Sequence, residues 1–113
     1  MPNARKSRSR GPAPAVLFAA LGDETRLALV TRLAGGEAAS ITELTRRSRL
    51  TRQAITKHLR VLERAGIVRS VRAGRESRFE FDPRPLTEIE EYVRNVSREW
   101  DAALLRLKAF VEE

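Results

Sequence analysis

Residues 40–66 read SITELTRRSRLTRQAITKHLRVLERAG, and the punctuation of this stretch decides the fold. Ser40-Ile41-Thr42-Glu43 has the S-x-x-E form of a capping box, in which hydroxyl and carboxylate each take up a backbone N–H at a helix start. That helix is expected to run to about Ser48. The pattern restarts after Ser48–Thr51, with Thr51 as N-cap of a second helix reaching Ala65 and Gly66 as its left-handed terminator. A short helix, a tight turn and a second helix outline a helix-turn-helix.

Upstream, Pro14 suits the first position of a helix carrying Val16, Leu17, Ala20 and Leu21, and Gly22 breaks it. Asp23 caps a further helix to about Ala34, with Leu27, Leu29, Val30 and Leu33 as its apolar positions, and Gly35-Gly36 stop it. Residues 1–13 (MPNARKSRSRGPA) are nearly devoid of apolar side chains and read as a disordered basic arm. Downstream of Gly66 the period changes from helical to alternating. Val68 and Val71 mark one strand, Ser77–Phe81 alternates as another, and Arg72-Ala73-Gly74-Arg75-Glu76 forms the hairpin tip between them. The pair reads as a two-stranded wing. Pro83 and Pro85 end it. Beyond them Leu86, Ile89, Val93, Val96, Trp100, Leu104, Leu107 and Val111 recur at gaps of three and four, the stripe of one long helix. The expected class is therefore mainly α with a β-wing, in one domain over residues 14–113, with the terminal helix at about 86–112.

The 113 residues carry a net charge of +7, and the excess is segregated. Residues 1–10 hold four bases and no acid, and residues 40–84 hold twelve bases against five acids; residues 85–113 are net acidic. A basic arm and a basic block around a helix-turn-helix point to a polyanionic partner, double-stranded DNA before RNA or anionic lipid. Cysteine is absent and histidine occurs once, which removes thiolate chemistry and the usual zinc sets. No Gly-rich phosphate loop and no nucleophile–base pairing is present, so neither an enzyme nor a cofactor is expected. No run of 18 apolar residues suggests a membrane span, and the first ten residues lack the apolar segment of a secretory signal, so a cytoplasmic, nucleoid-associated protein is expected.

On a wheel of about 100° per residue, Ile55, Leu59 and Leu62 face one way, while Gln53, Lys57, Arg60 and Arg64 face the other. Glutamine can pair bidentately with adenine, and lysine or arginine can reach guanine or phosphate, which suits a helix lying in the major groove. A solvated polar face would share the periodicity; an acid-free stripe between a tight turn and a basic hairpin favours the groove. Arg52 and Thr56 flank the stripe. Arg72 and Arg75 at the wing tip are placed to reach backbone or minor groove. Arg78 reads equally well as a third wing contact or as half of a cross-strand pair. His58 flanks the apolar face, where a lone histidine is more often packed or bonded to a neighbour or phosphate than a metal ligand.

The terminal stripe, through Val96, Trp100, Leu104, Leu107 and Val111, and the first helix, through Val16, Leu17 and Leu21, offer two apolar faces that could meet across a two-fold axis. Such a homodimer would set two recognition helices about 34–36 Å apart, on successive major grooves. The alternative is a docking module whose terminal helix receives a different protein.

LFAALGDETRLALVTRL (17–33), SITEL (40–44) and LTRQAITKHLRVLERAGIVRSVRAGRESRFEFD (50–82) resemble the ArsR-type family of bacterial winged helix repressors over roughly residues 15–112. The resemblance implies a dimer through first and last helices, repression by occupying an inverted-repeat operator, and release by a signal. It also implies DNA contacts from Arg52, Gln53, Thr56 and Lys57, with His58 at the edge, plus the wing arginines; Arg60 and Arg64 remain phosphate candidates. Family metal sensors use cysteines near the third helix or His/Asp/Glu sets in the last. Here residues 38–42 read AASIT and the last helix has Glu88, Glu90, Glu91, Glu99 and Asp101 without a histidine, so no metal is expected. The W-x-x-x-L-x-x-L-K ending (100–108) is similar to a metal-free branch, and no motif names the inducer.

Overall fold

In the computed structural model, residues 13–112 are described; the basic arm expected over 1–13 lies outside them except for Ala13, which precedes the first helix. The elements follow as α1 (Pro14–Leu21), α2 (Glu24–Ala34), β1 (Ala39–Ser40), α3 (Ile41–Arg46), α4 (Arg52–Arg64), β2 (Val68–Ala73), β3 (Glu76–Phe81) and α5 (Arg84–Glu112).

The starts of α2, α3 and α4 have the caps their sequence specifies. Asp23 accepts from the Arg26 N–H at 3.0 Å. The capping box is closed in both directions, Ser40 N–H to Glu43 Oε1 at 2.9 Å and Glu43 N–H to Ser40 Oγ at 3.1 Å. Thr51 Oγ1 accepts from the Ala54 N–H at 3.1 Å, which holds the first turn of α4. Helix α3 ends two residues before the expected Ser48, and Ser48 instead braces the turn by accepting from the Leu50 N–H at 2.9 Å. Gly66 has φ +81°, the left-handed residue that stops α4. Gly74, at φ +68°, opens the two-residue hairpin between Ala73 and Glu76, where a side chain would be strained by the backbone alone.

The wing is larger than the two strands expected. Strand β1 adds to β3 antiparallel, pairing Ala39 with Phe79 and Ser40 with Arg78, so the sheet has three strands in the order β1-β3-β2. Two residues are too short to show a period of two, and their partner lies some 40 residues on. The small sheet closes the open side of the helices. Phe79 on β3 is 1% exposed and joins Leu17, Leu29, Leu44, Ile55, Leu59, Leu62 and Ile67 in a single core.

Helix α5 is different in kind. None of its 29 residues is buried. Its start is anchored by Asp82, which accepts from the Arg84 N–H at 3.0 Å and pairs with the Arg84 guanidinium at 2.6 Å. These bonds hold the Asp82 carboxyl down at about 2. Ile89 then packs on the core, and Tyr92 meets Phe18 of α1 edge to face, with centroids 5.8 Å apart. Past that contact the helix projects away, about 43 Å long in all.

Candidate nucleic-acid interface

Helix α4 is held by its apolar side: Ile55, Leu59 and Leu62 are at most 1% exposed. That fixes what the other side shows. Gln53, Lys57 and Arg64 are exposed, and none has a partner among the described residues. Arg52 is exposed too, but its guanidinium donates to Thr42 Oγ1 at 2.6 Å and so lies across the start of α3. The Thr56 hydroxyl donates to the Arg52 carbonyl at 2.7 Å, which leaves it a lone pair and a methyl to present. Arg72 and Arg75 stand exposed on either side of Gly74, unpaired among the described residues.

Three more of the expected contact residues, besides Arg52 and Thr56, are engaged with the protein itself. His58 is half-buried, and its Nδ1 faces Arg26 Nη1 at 3.2 Å and Asp23 Oδ2 at 3.8 Å. Arg26 also donates from Nε to the Ala20 carbonyl at 2.6 Å, so this network ties the end of α1 and the start of α2 to the recognition helix. Arg60 pairs with Glu63 at 2.8 Å and lies 6.0 Å over the Phe79 ring, which turns it toward the sheet. Arg78, expected equally as a wing contact or as half of a cross-strand pair, is engaged by other groups of the protein. It donates to the Ala38 carbonyl at 2.8 Å and pairs with Glu76 at 3.2 Å and Glu43 at 3.4 Å, clamping the sheet to α3. Glu43 is held below the usual carboxylate range by the Ser40 N–H first and by Arg78 after it. The cross-strand pair on the wing is instead Arg69 with Glu80, at 2.6 Å.

Arg46, Arg47 and Arg49 are exposed around the turn; Arg47 and Arg49 have no partner among the described residues, while Arg46 attracts the Glu43 carboxylate. The reading of the α4 wheel passed over them because they precede that helix. The signal that finds them is the charge count of residues 40–84, of which they supply three bases. Arg46 lines a shallow cleft with Thr42, Thr45 and Arg52, which places it beside the start of α4.

The second expected surface also separates. Leu17 is fully buried in its own protomer, so it has no surface to give a partner, and Leu21 packs half-buried on the same core. Leu17 and Ala20 are the side of α1 that faces the core, and periodicity alone cannot say which members of a stripe a neighbouring element covers. Val16 at 49%, Trp100 at 65%, Leu104 at 55%, Leu107 at 57% and Val111 at 72% are exposed, while Val96 is half-buried. Phe110, outside the expected stripe, is 75% exposed. Among the described residues no helix is long and apolar enough to cross a membrane.

Comparison with known proteins matches this arrangement. A helix-turn-helix domain family matches residues 21–71. The chain is 40% identical over 79 residues to YuzN of Bacillus subtilis (strain 168), described as an uncharacterized HTH-type transcriptional regulator, covering 65% of this chain and 86% of that protein. It is 38% identical over 85 residues to the HTH-type transcriptional regulator Rv2034 of Mycobacterium tuberculosis (strain ATCC 25618 / H37Rv), covering 75% and 76% respectively. Among solved structures, an ArsR-like transcriptional regulator from Rhodococcus sp. RHA1 superposes with a TM-score of 0.76 at 37% identity, over 86% of this chain and 91% of that one.

Proposed function

The chain belongs to the ArsR-type helix-turn-helix family of DNA-binding transcriptional regulators, and on that premise we propose that it is a homodimeric repressor that occupies an inverted-repeat operator. The observation that carries the reading surface is the bare pair Gln53 and Lys57, one turn apart at the start of a helix whose opposite face is locked in the core. Gln53 is assigned to a base edge, Lys57 to guanine or phosphate, and Arg52 and Thr56 to the flanking backbone. Arg72 and Arg75 supply wing contacts whose charge adds affinity without base discrimination. His58, Arg60 and Arg78 hold the reader in place from behind.

The dimer is supported by the apolar face that α5 leaves bare. Trp100, Leu104, Leu107 and Val111, 55–72% exposed, share one face of α5, the kind of apolar patch that marks an interaction site. A second copy covers it with the same strip, as two-fold symmetry requires, with Val16 of α1 at its margin. The protein is assigned to the cytoplasm, where its DNA is.

A footprint of the purified protein on its own upstream region tests these elements together. A symmetric footprint of two half-sites one helical turn apart is expected, and transcription in vitro should fall as it fills. An asymmetric, single half-site footprint would overturn the dimer, and the absence of any footprint would overturn sequence-specific reading.

A further inference from the structure

A cleft of about 430 Å³ lies between α2 and the turn of the helix-turn-helix, within the size range of small-molecule sites. Its floor is the core itself, because Leu29, Leu44 and Ile55 line it and are at most 7% exposed. Ala28 on α2 and Leu50 in the turn flank this floor. Arg32, Arg47 and Arg49 stand around it, against one acid, Glu24. Arg47 and Arg49 have no hydrogen bond or ion pair among the described residues, and Arg32 makes only a 3.3 Å bond to the Glu43 carbonyl.

We infer that this cleft binds an amphipathic anion, a hydrocarbon chain ending in a carboxylate, and that its occupancy changes the affinity for DNA. The apolar lining selects a hydrocarbon body: the exposed Ala28 and half-buried Leu50 offer apolar surface to cover, above a floor with no polar group to satisfy. Three cations facing one acid select a negative head group, and arginine matches a carboxylate with paired donors. DNA phosphate alone would use the arginines and leave the floor unexplained.

The coupling follows from where the floor residues sit. Leu44 belongs to α3, Leu50 to the turn and Ile55 to the first turns of α4, so a seated chain touches both halves of the reader. A ligand moves an equilibrium only through a different affinity for its two states. Here the difference arises because the ligand draws Arg47 and Arg49 onto itself, next to the helix that carries Gln53. This second half of the inference rests on the proposed DNA-binding role; the ligand site does not.

The test is calorimetric titration of the full-length protein with decanoate, and with decyltrimethylammonium as the cation of matched chain. Saturable binding of decanoate at one site per chain is expected, with no site for the cation. Ala28→Trp, on an exposed face of α2, should fill the cleft and abolish binding. Arg47→Gln with Arg49→Gln, both at exposed positions, should weaken binding at least tenfold. Leu104→Asp with Leu107→Asp should leave it unchanged, which separates the cleft from the bare face of α5. Decanoate should then shift the affinity of the wild type for its footprinted DNA at least fivefold in gel shifts, and leave Ala28→Trp unmoved. No saturable decanoate site, or equal binding by Ala28→Trp, or loss only in the α5 variant, would overturn the site. Binding at the cleft with unchanged DNA affinity would overturn the regulatory half. The ligand-free gel shift reads the DNA-binding role separately from both.

Discussion

Helices α4 and α5 are both amphipathic, yet the fold treats them in opposite ways. Ile55, Leu59 and Leu62 of α4 vanish into the core, whereas none of the 29 residues of α5 is buried. The difference lies in what each apolar face meets. Helix α4 is backed by α2, α3 and the sheet within 13 residues of length, and its polar face is thereby aimed outward at a fixed angle. Helix α5 makes its ring contact with α1 at Tyr92, and beyond it none of the described residues buries Trp100 or Leu104, which stay 65% and 55% exposed. One amphipathic helix therefore presents its polar face for function and the other its apolar face.

Charging the α5 strip should break this contrast most severely. Leu104→Asp with Leu107→Asp is expected to give a folded monomer by sedimentation and circular dichroism. With one reading helix in place of two, operator affinity should fall about a thousandfold, since half of a typical specific binding energy is lost. If the variant unfolds, α5 is part of the protomer core after all. The matching change in α4, Leu59→Ala, removes a fully buried side chain and should cost about 2–5 kcal/mol of stability, read from the urea midpoint. A cost as small as that of an exposed site would erase the distinction between the helices.

Smaller effects sharpen the division within each helix. Gln53→Ala should cost about 1–3 kcal/mol on the operator, relax selection at one base position, and leave the melting temperature unchanged. At the root of α5, Asp82 has a carboxyl depressed to about 2 from 3.8 by Arg84. A depressed carboxylate stabilises the fold above its unfolded pKa and loses that contribution as pH falls toward its folded pKa. The anchor should therefore be intact above about pH 4 and lose about 1–2 kcal/mol by pH 2, discounted because Arg84 is largely exposed. Asp82→Asn should flatten that part of the stability profile; an unchanged profile would show that Asp82 does not anchor the helix. Smallest is Arg75→Ala at the wing tip, expected to weaken all duplexes alike and lower the salt slope by about one. A base-selective loss would move Arg75 from backbone to base contact.

Legibility in the sequence followed the range of the interactions. Thr51, Asp23 and the Ser40–Glu43 box act within one turn, and each cap appears where its residues predict. Gly66 and Gly74 carry positive φ because only glycine takes that conformation without strain. The exposed pair Gln53 and Lys57 was equally legible, since a helix fixes which residues share a face. Long-range partners were not legible locally. Arg78 sits on a wing strand beside the arginine-bearing hairpin tip, yet Ala38 and Glu43 engage it from 40 and 35 residues away. His58 is engaged by Arg26 across 32 residues.

The sequence by itself determined the order of the helices and the two wing strands, the capped helix starts, the turn and the outward stripe of α4, because caps, glycines and periodicity act over a few residues. Tertiary structure decided the rest. It recruited Ala39–Ser40 as a third strand, sank Leu17 into the core, and gave His58, Arg60 and Arg78 partners within the protein. Each of these depends on which distant group arrives beside a residue, and a side chain's type and spacing leave that unspecified until the chain has closed around it.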